Sequence, residues 1–185
     1  NIIVDLGNLK DFKLPDIIQV FNKFSFKGSL DGLYNNFKTK GLFTTDIGNI
    51  EADALLDIQK EIKYVGHFQS GKFDVGLITK SKDLGSTGFN LQIDGEGTDP
   101  KTLKLKAQGD LTDLNFKNYR YQRVHIDGNT DRQLVVGTGK IIDPNLHLQF
   151  TTDIDWSSKP SYHLDADIQR ANLKRLNFFQ GDSIN

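Results

Sequence analysis

Asn145-Leu146-His147-Leu148-Gln149-Phe150-Thr151-Thr152-Asp153-Ile154-Asp155-Trp156 is the stretch that decides how the chain is read. Leu146, Leu148, Phe150, Thr152, Ile154 and Trp156 occupy one parity. His147, Gln149, Thr151, Asp153 and Asp155 occupy the other, so an extended backbone acquires one dry face and one wet face. The alternation recurs in Leu103, Leu105, Ala107 and Leu111 against Lys104, Lys106, Gln108 and Asp110. It returns in Leu164, Ala166 and Ile168 against His163, Asp165 and Asp167. A sheet built of such strands has one apolar face, and what lies against that face is the functional question.

Outward from this stretch, the same period predicts strands over 24–32, 37–45, 50–62, 62–70, 72–79, 87–97, 102–111, 114–128, 133–142 and 162–172. The segment 50–62 also fits a helical stripe of Ile50, Ala54, Ile58 and Ile62, and its neighbours favour the strand. Turn chemistry separates the strands at Tyr34-Asn35-Asn36, Asp46-Ile47-Gly48-Asn49, Ser70-Gly71, Asp143-Pro144-Asn145 and similar points. Short hairpins between strands of this length indicate an antiparallel meander. Residues 1–12 read as an opening strand. Residues 14–21 read as a short helix, with Pro15 in its first turn, Asp16 at its positive end, and Ile17, Val20, Phe21 and Phe24 on one face. Residues 171–185 form a tail with Leu173, Leu176 and Phe179 at helical spacing, left without an assignment.

Composition narrows the classes. The 185 residues fit a single all-β unit, and a formal net charge of -1 supplies no general field for nucleic acid or an anionic membrane surface. The absence of cysteine removes disulfides, thiolate chemistry and cysteine-ligated metals. No apolar run among the 185 residues is long enough for a spanning helix, and none of them reads as a signal peptide. A chain beginning at Asn1 and lacking methionine reads as a piece of a longer polypeptide.

Chemical motifs are weak. Asp153 with Asp155, and Asp165 with Asp167, resemble paired glycosidase carboxylates but sit on wet faces, where charge is expected. His147 and His163 could approach across one hairpin, yet two ligands without a third make a surface pair more often than a metal site. Asp94-Gly95-Glu96-Gly97-Thr98-Asp99 lacks EF-hand spacing and reads as a hairpin loop. Gly137-Thr138-Gly139-Lys140 has no helix after it, which argues against a phosphate loop. Tyr119-Arg120-Tyr121-Gln122-Arg123 interleaves aromatics and arginines as single-strand binders do, without a wider basic face. These residues compose no nucleophile and base, so the expectation is a protein that is not an enzyme and uses no metal or cofactor.

Glycines inside the strands, at Gly28, Gly32, Gly41, Gly66, Gly76, Gly109, Gly137 and Gly139, permit bends that let a sheet curl about its apolar side. Alternation is equally compatible with a β-sandwich whose apolar faces meet, and with part of an outer-membrane barrel.

The order of units resembles the TamB and AsmA-like family of bacterial envelope proteins. The resemblance starts at Phe26-Lys27-Gly28-Ser29-Leu30-Asp31-Gly32, continues through 37–48, and recurs at Lys72-Phe73-Asp74-Val75-Gly76. It then covers 83–99, 103–110, Asn118-Tyr119-Arg120-Tyr121, Ile126-Asp127-Gly128, and Ile142-Asp143-Pro144-Asn145 onward, most of 26–156. It implies an all-β fold: a long antiparallel meander over 26–170 curled into a U-shaped, open trough with an apolar interior, plus one short helix near the N-terminus. It further implies a periplasmic protein anchored in the inner membrane, partnered in some members by an outer-membrane barrel, that shields phospholipid acyl chains between membranes. The chain lacks the anchor helix and the family's C-terminal portion.

On this reading the acyl-chain lining comes from Phe24, Phe26 and Leu30; Phe37 and Phe43; Ile50, Leu56 and Ile58; Phe68; and Phe73, Val75 and Leu77. It continues with Phe89, Leu91 and Ile93; Leu103, Leu105 and Leu111; Leu114 and Phe116; and Val124 and Ile126. Leu146, Leu148, Phe150, Ile154 and Trp156, then Leu164 and Ile168, complete it. A dozen strands about 4.8 Å apart would make a section on the order of 50 Å long. A sixteen-carbon chain at ~0.8 kcal/mol per methylene faces on the order of 12 kcal/mol in water, which such a surface would offset.

Overall fold

The computed structural model describes residues 21–178 except 34, 60 and 100. The opening strand over 1–12 and most of the expected helix over 14–21 lie outside the described residues, as does the end of the tail. Ten strands form one antiparallel sheet in sequence order: β1 (Phe24–Leu33), β2 (Asn36–Thr45), β3 (Gly48–Asp57), β4 (Lys63–Asp74), β5 (Ser86–Glu96), β6 (Lys104–Phe116), β7 (Tyr119–Asp131), β8 (Leu134–Asp143), β9 (Leu146–Asp155) and β10 (Ser161–Ala171). β1 and β10 are its two edges and do not meet, so the sheet is open. The described residues form a single sheet, with no second β layer.

Several boundaries differ from expectation, the largest of them for local reasons. β4 runs on past Ser70-Gly71 through a register shift between Ser70 and Phe73 and ends at Asp74, so 72–79 is not a strand of its own. The Asp74 carboxylate accepts from the Leu77 amide and caps a five-residue helix, α1 (Val75–Thr79), which ends at Lys80 in the left-handed region. Val75 and Leu77 therefore sit on a helical turn and leave the strand lining, Leu77 largely exposed. β6 does not stop at Leu111: it continues to Phe116 and turns at Lys117-Asn118, where both residues have positive φ (51° and 60°), the turn geometry that matches strand twist.

The segment 50–62 is strand only as far as Asp57. Ile58 leaves β3 and donates its amide to the Asn35 carbonyl in the connecting loop. Phe24, counted on both the helix face and the strand, begins β1.

Connections alternate between the two ends of the strands. Thr39, Ala52 and Ala54 are buried in mid-sheet, while most of the large buried side chains gather at one end. There Phe26, Phe43 and Phe24 stack, with ring centroids 4.6 Å and 5.8 Å apart. Phe73 meets Phe21 and Phe89 edge-on. A second cluster holds Tyr121, Val124, Leu146 and Leu176, flanked by Leu111, Leu114 and Phe116. Leu176, in the turn after β10, is fully buried at 0 % exposure. Asp143 anchors this end: it accepts from the Tyr119 hydroxyl and from the Gln122 and Asn145 amides. A buried carboxylate with three donors is satisfied, which is the condition for burying it at low cost.

Candidate functional site

Registers carried from strand to strand define complete rows across the sheet. Gly28, Gly41, Ala52, Phe68, Leu91, Gly109, Ile126, Gly139, Phe150 and Ala166 stand opposite one another in turn. Two positions along lies Leu30, Thr39, Ala54, Gly66, Ile93, Ala107, Gly128, Gly137, Thr152 and Leu164. The next is Gly32, Phe37, Leu56, Tyr64, Gly95, Leu105, Thr130, Val135, Ile154 and Tyr162. Directly opposed residues share a face, so these rows form one surface of apolar and small side chains. A fourth row, toward α1, contains Phe89, Leu111, Val124, Ile141, Leu148 and Ile168.

The rows between them are wet. Ser29, Lys40, Asp53, His67, Gln92, Gln108, Asp127, Thr138, Thr151 and Asp165 make one of them. Lys38 and Lys40 flank Asp53 at 3.6 Å and 3.1 Å. The hydrogen bond from Lys40 holds the Asp53 carboxyl below its usual range, with Lys38 adding to it.

Aromatic rings on the apolar face lie over glycines of the neighbouring strand. The Tyr64 ring covers Gly95 and the Phe150 ring covers Gly139, where a methyl group would overlap ring atoms. Burial raises the Tyr64 pKa, and its hydroxyl donates to the Gly97 carbonyl. Close approaches of backbone mark the same face. A Cβ on Gly41 would stand 2.7 Å from Gly28 Cα, and one on Gly137 would stand 2.8 Å from Gly128 Cα. Gly109, opposite Leu91, has φ +145°, which side-chain-bearing residues rarely adopt.

The expected lining residues divide by position. Phe26, Phe73, Val124 and Leu146 are buried in the protein's own clusters. Phe37, Phe68, Leu91, Ile93, Leu105, Ile126, Phe150 and Ile154 are half-buried in the middle rows. Leu30, Leu164, Ile168 and Trp156 are exposed near the edges and the far end. Leu103 lies in the loop before β6, its amide donating to the Asp99 carbonyl. Leu114 and Phe116 join the Leu176 cluster beyond Asp113, whose positive φ (52°) marks a local kink in β6.

The small members of the rows, Ala52, Ala54 and Ala107 among them, and the aromatic Tyr64 were not among the expected lining, although strand parity puts them on it. Leu176 carried no strand period to reveal it. Two hydroxyls on this face, of Thr39 and Ser70, are buried without a hydrogen-bond partner.

The remaining motifs fall on the wet face or in turns. His163 stands opposite Asp153 and His147 opposite Arg170, so the two histidines are not a pair. The backbone amide of Ser157 lowers the Asp155 pKa, the reverse of what a general acid needs. Gly137 to Lys140 is interior to β8, and Tyr119 and Tyr121 turn into the cluster beside Asp143. Among the described residues no group of three His, Cys, Asp or Glu is arranged to hold a metal. Two depressions, about 540 Å³ and 240 Å³, have mixed linings: His125, Lys140, Gln149 and Asp165 with Phe150 and Ala166 in one, and Asp94, Glu96, Lys104 and Lys106 with Leu105 in the other.

The chain matches no family model, no curated protein and no solved structure.

Proposed function

We propose that the apolar face is the working surface and that it carries lipid acyl chains, the sheet curling about it as a trough. The observation that supports this is the set of consecutive apolar rows in which no second β layer is present among the described residues and most large side chains stay half-buried. Close glycine approaches on that face, Gly28 to Gly41 and Gly128 to Gly137, support curvature toward it. Rings that lie over neighbouring glycines even out that face, which suits a mobile hydrocarbon better than a shaped pocket would. Transfer of each methylene from water onto such a surface gains about 0.8 kcal/mol without a directed polar contact.

The similarity to TamB and AsmA-like units extends the reading to a periplasmic segment of an inner-membrane-anchored protein that passes phospholipid toward the outer membrane, with no catalytic step. The sandwich alternative requires a second layer, and the described residues form one sheet; the alternative of part of an outer-membrane barrel turns the same apolar face outward to lipid, and a need for detergent to keep the chain in solution would favour it.

A photocrosslinking amino acid placed singly along β9, in the presence of phospholipid, tests the proposal. Lipid adducts are expected at Leu148, Thr152 and Ile154 and absent at Gln149, Thr151 and Asp153. Equal labelling of both parities, or none at all, would refute it.

A further inference from the structure

We infer that the end of the sheet holding the β6–β7 turn is a docking surface for an anionic phospholipid bilayer, built from basic side chains that the fold gathers around two exposed apolar ones. The inference rests on this end alone and stands whether or not the apolar face carries lipid. Two stretches far apart in sequence supply the charge. Lys117, Arg120 and Arg123 lie in the β6–β7 turn and the start of β7; Arg170, Lys174 and Arg175 lie at the end of β10 and in the turn after it. Neither 117–123 nor 170–175 contains an acid, so together they carry a formal +6, and by difference from the total of -1 the rest of the sequence carries -7. Connections at the opposite end balance: Glu96 and Asp99 against Lys101 and Lys104, Asp131 against Arg132, Asp155 against Lys159.

The fold joins the two stretches and so supplies the wider basic face that the local motif lacks. The Asn177 side chain donates to the Lys117 carbonyl at 3.0 Å, and the Lys117 ammonium lies 5.6 Å from the centre of the Phe178 ring. Leu176 shares a cluster with Tyr121 and Val124, the residues that bracket Arg123. The Arg170 guanidinium donates to the Asp143 carbonyl at 3.2 Å, and Arg175 stands within electrostatic reach of the Tyr119 hydroxyl. Acids close by are few. Asp143 is held by its three donors, Asp113 sits at the β6 kink, and Asp83, whose carbonyl accepts from the Lys117 amide, follows Lys80 and Lys82. All six basic residues are exposed, and among the described residues none of them forms a salt bridge.

Apolar side chains among the cations select the partner. Leu173 is 44 % exposed and Phe178 47 %, and the Phe178 amide donates to the Leu173 carbonyl at 3.1 Å, so the two stand together beside Lys117 and next to Lys174 in the chain. Apolar side chains that enter the acyl boundary while neighbouring cations meet lipid phosphates are the chemistry of an interfacial anchor. A single-stranded nucleic acid instead needs exposed rings on which its bases can stack. In Tyr119-Arg120-Tyr121-Gln122-Arg123 both tyrosines turn into the cluster, their ring centroids 4.8 Å apart and Tyr121 only 3 % exposed. The motif therefore offers charge without a stacking platform.

Cosedimentation of the 185-residue chain with vesicles tests the inference, comparing phosphatidylcholine alone with phosphatidylcholine containing phosphatidylglycerol. Binding is expected to the anionic vesicles only and should fall steeply as salt is raised. Each cation brought to such a surface strengthens binding about fivefold, so Lys174→Gln combined with Arg175→Gln should weaken it about 25-fold. Leu173→Ser and Phe178→Ser should each weaken it several-fold, whereas Lys101→Gln and Lys159→Gln, at the balanced end, should leave it unchanged. Equal binding to neutral vesicles would assign the contact to the apolar face and overturn the inference. Displacement of the vesicles by a single-stranded oligonucleotide, with no effect of Leu173→Ser or Phe178→Ser, would make the partner a nucleic acid and overturn it too. So would an absence of binding, or equal losses from the variants at the two ends.

Discussion

Leu176→Ala probes the link between the tail and the sheet. Leu176 is fully buried and shares a cluster with Tyr121, Val124 and Leu146, residues from β7 and β9 that are far from it in sequence. Removing three carbons forfeits about 2.4 kcal/mol of transfer free energy at ~0.8 kcal/mol per methylene. A residual cavity adds to this, and buried Leu→Ala changes span about 2–5 kcal/mol. The turn around Leu176 is otherwise held by a few bonds, among them the Asn172 amide to the Asn145 carbonyl and the Asn177 side chain to the Lys117 carbonyl. It can therefore detach locally, which keeps the loss near the lower end, about 3 kcal/mol. Urea unfolding followed by far-ultraviolet circular dichroism measures this, with Leu173→Ala as the control. Leu173 lies in the same turn but is 44 % exposed, and its loss should stay under about 1 kcal/mol. A loss below about 0.5 kcal/mol for Leu176→Ala, or equal losses for both variants, would show that the tail does not seal this end.

Gly41→Val should destabilise the sheet by several kcal/mol, on the order of a severe overpacking change, because its Cβ would stand 2.7 Å from Gly28 Cα. Gly71→Ala, with nothing within 4 Å, should be neutral or up to ~1 kcal/mol stabilising, and thermal melts compare the two directly. Leu105→Asp should lower stability and abolish binding of a fluorescent acyl probe, whereas Lys106→Gln on the opposite face should change neither; the reverse ranking would mean the faces are misassigned. Alkaline titration should destabilise the fold. Burial raises the Tyr119 and Tyr121 pKa values, for Tyr119 with help from its bond to Asp143, so the folded state favours the neutral phenols. Their contribution is complete below the unfolded value of about 10 and is lost as pH climbs through the raised folded values. Urea midpoints between neutral and strongly alkaline pH read this out, and Tyr119→Phe should flatten the dependence.

The strands and the two faces were legible in the chain because period-2 alternation is a local property: Leu148, Phe150 and Ile154 declare their side within one strand. Hairpin turns were legible where Gly, Asn, Asp or Pro interrupts the period, as at Asp143-Pro144-Asn145. The unmarked features needed the third dimension. Phe73, Val75 and Leu77 alternate like a strand, but an Asp74 side chain folded back onto the Leu77 amide makes the last part a helix. No alternation forecasts that Lys117-Asn118, in place of Thr112-Asp113, is where β6 reverses.

Sequence alone thus determined that the chain makes amphipathic strands joined in order, since side-chain direction follows from backbone geometry over a few residues. Only the tertiary structure decided that all ten strands form one open sheet, that glycines and rings meet across it in continuous rows, and that Leu176 returns to bury one end. Those outcomes depend on register, which accumulates over every turn between distant residues, and no short window of sequence contains that sum.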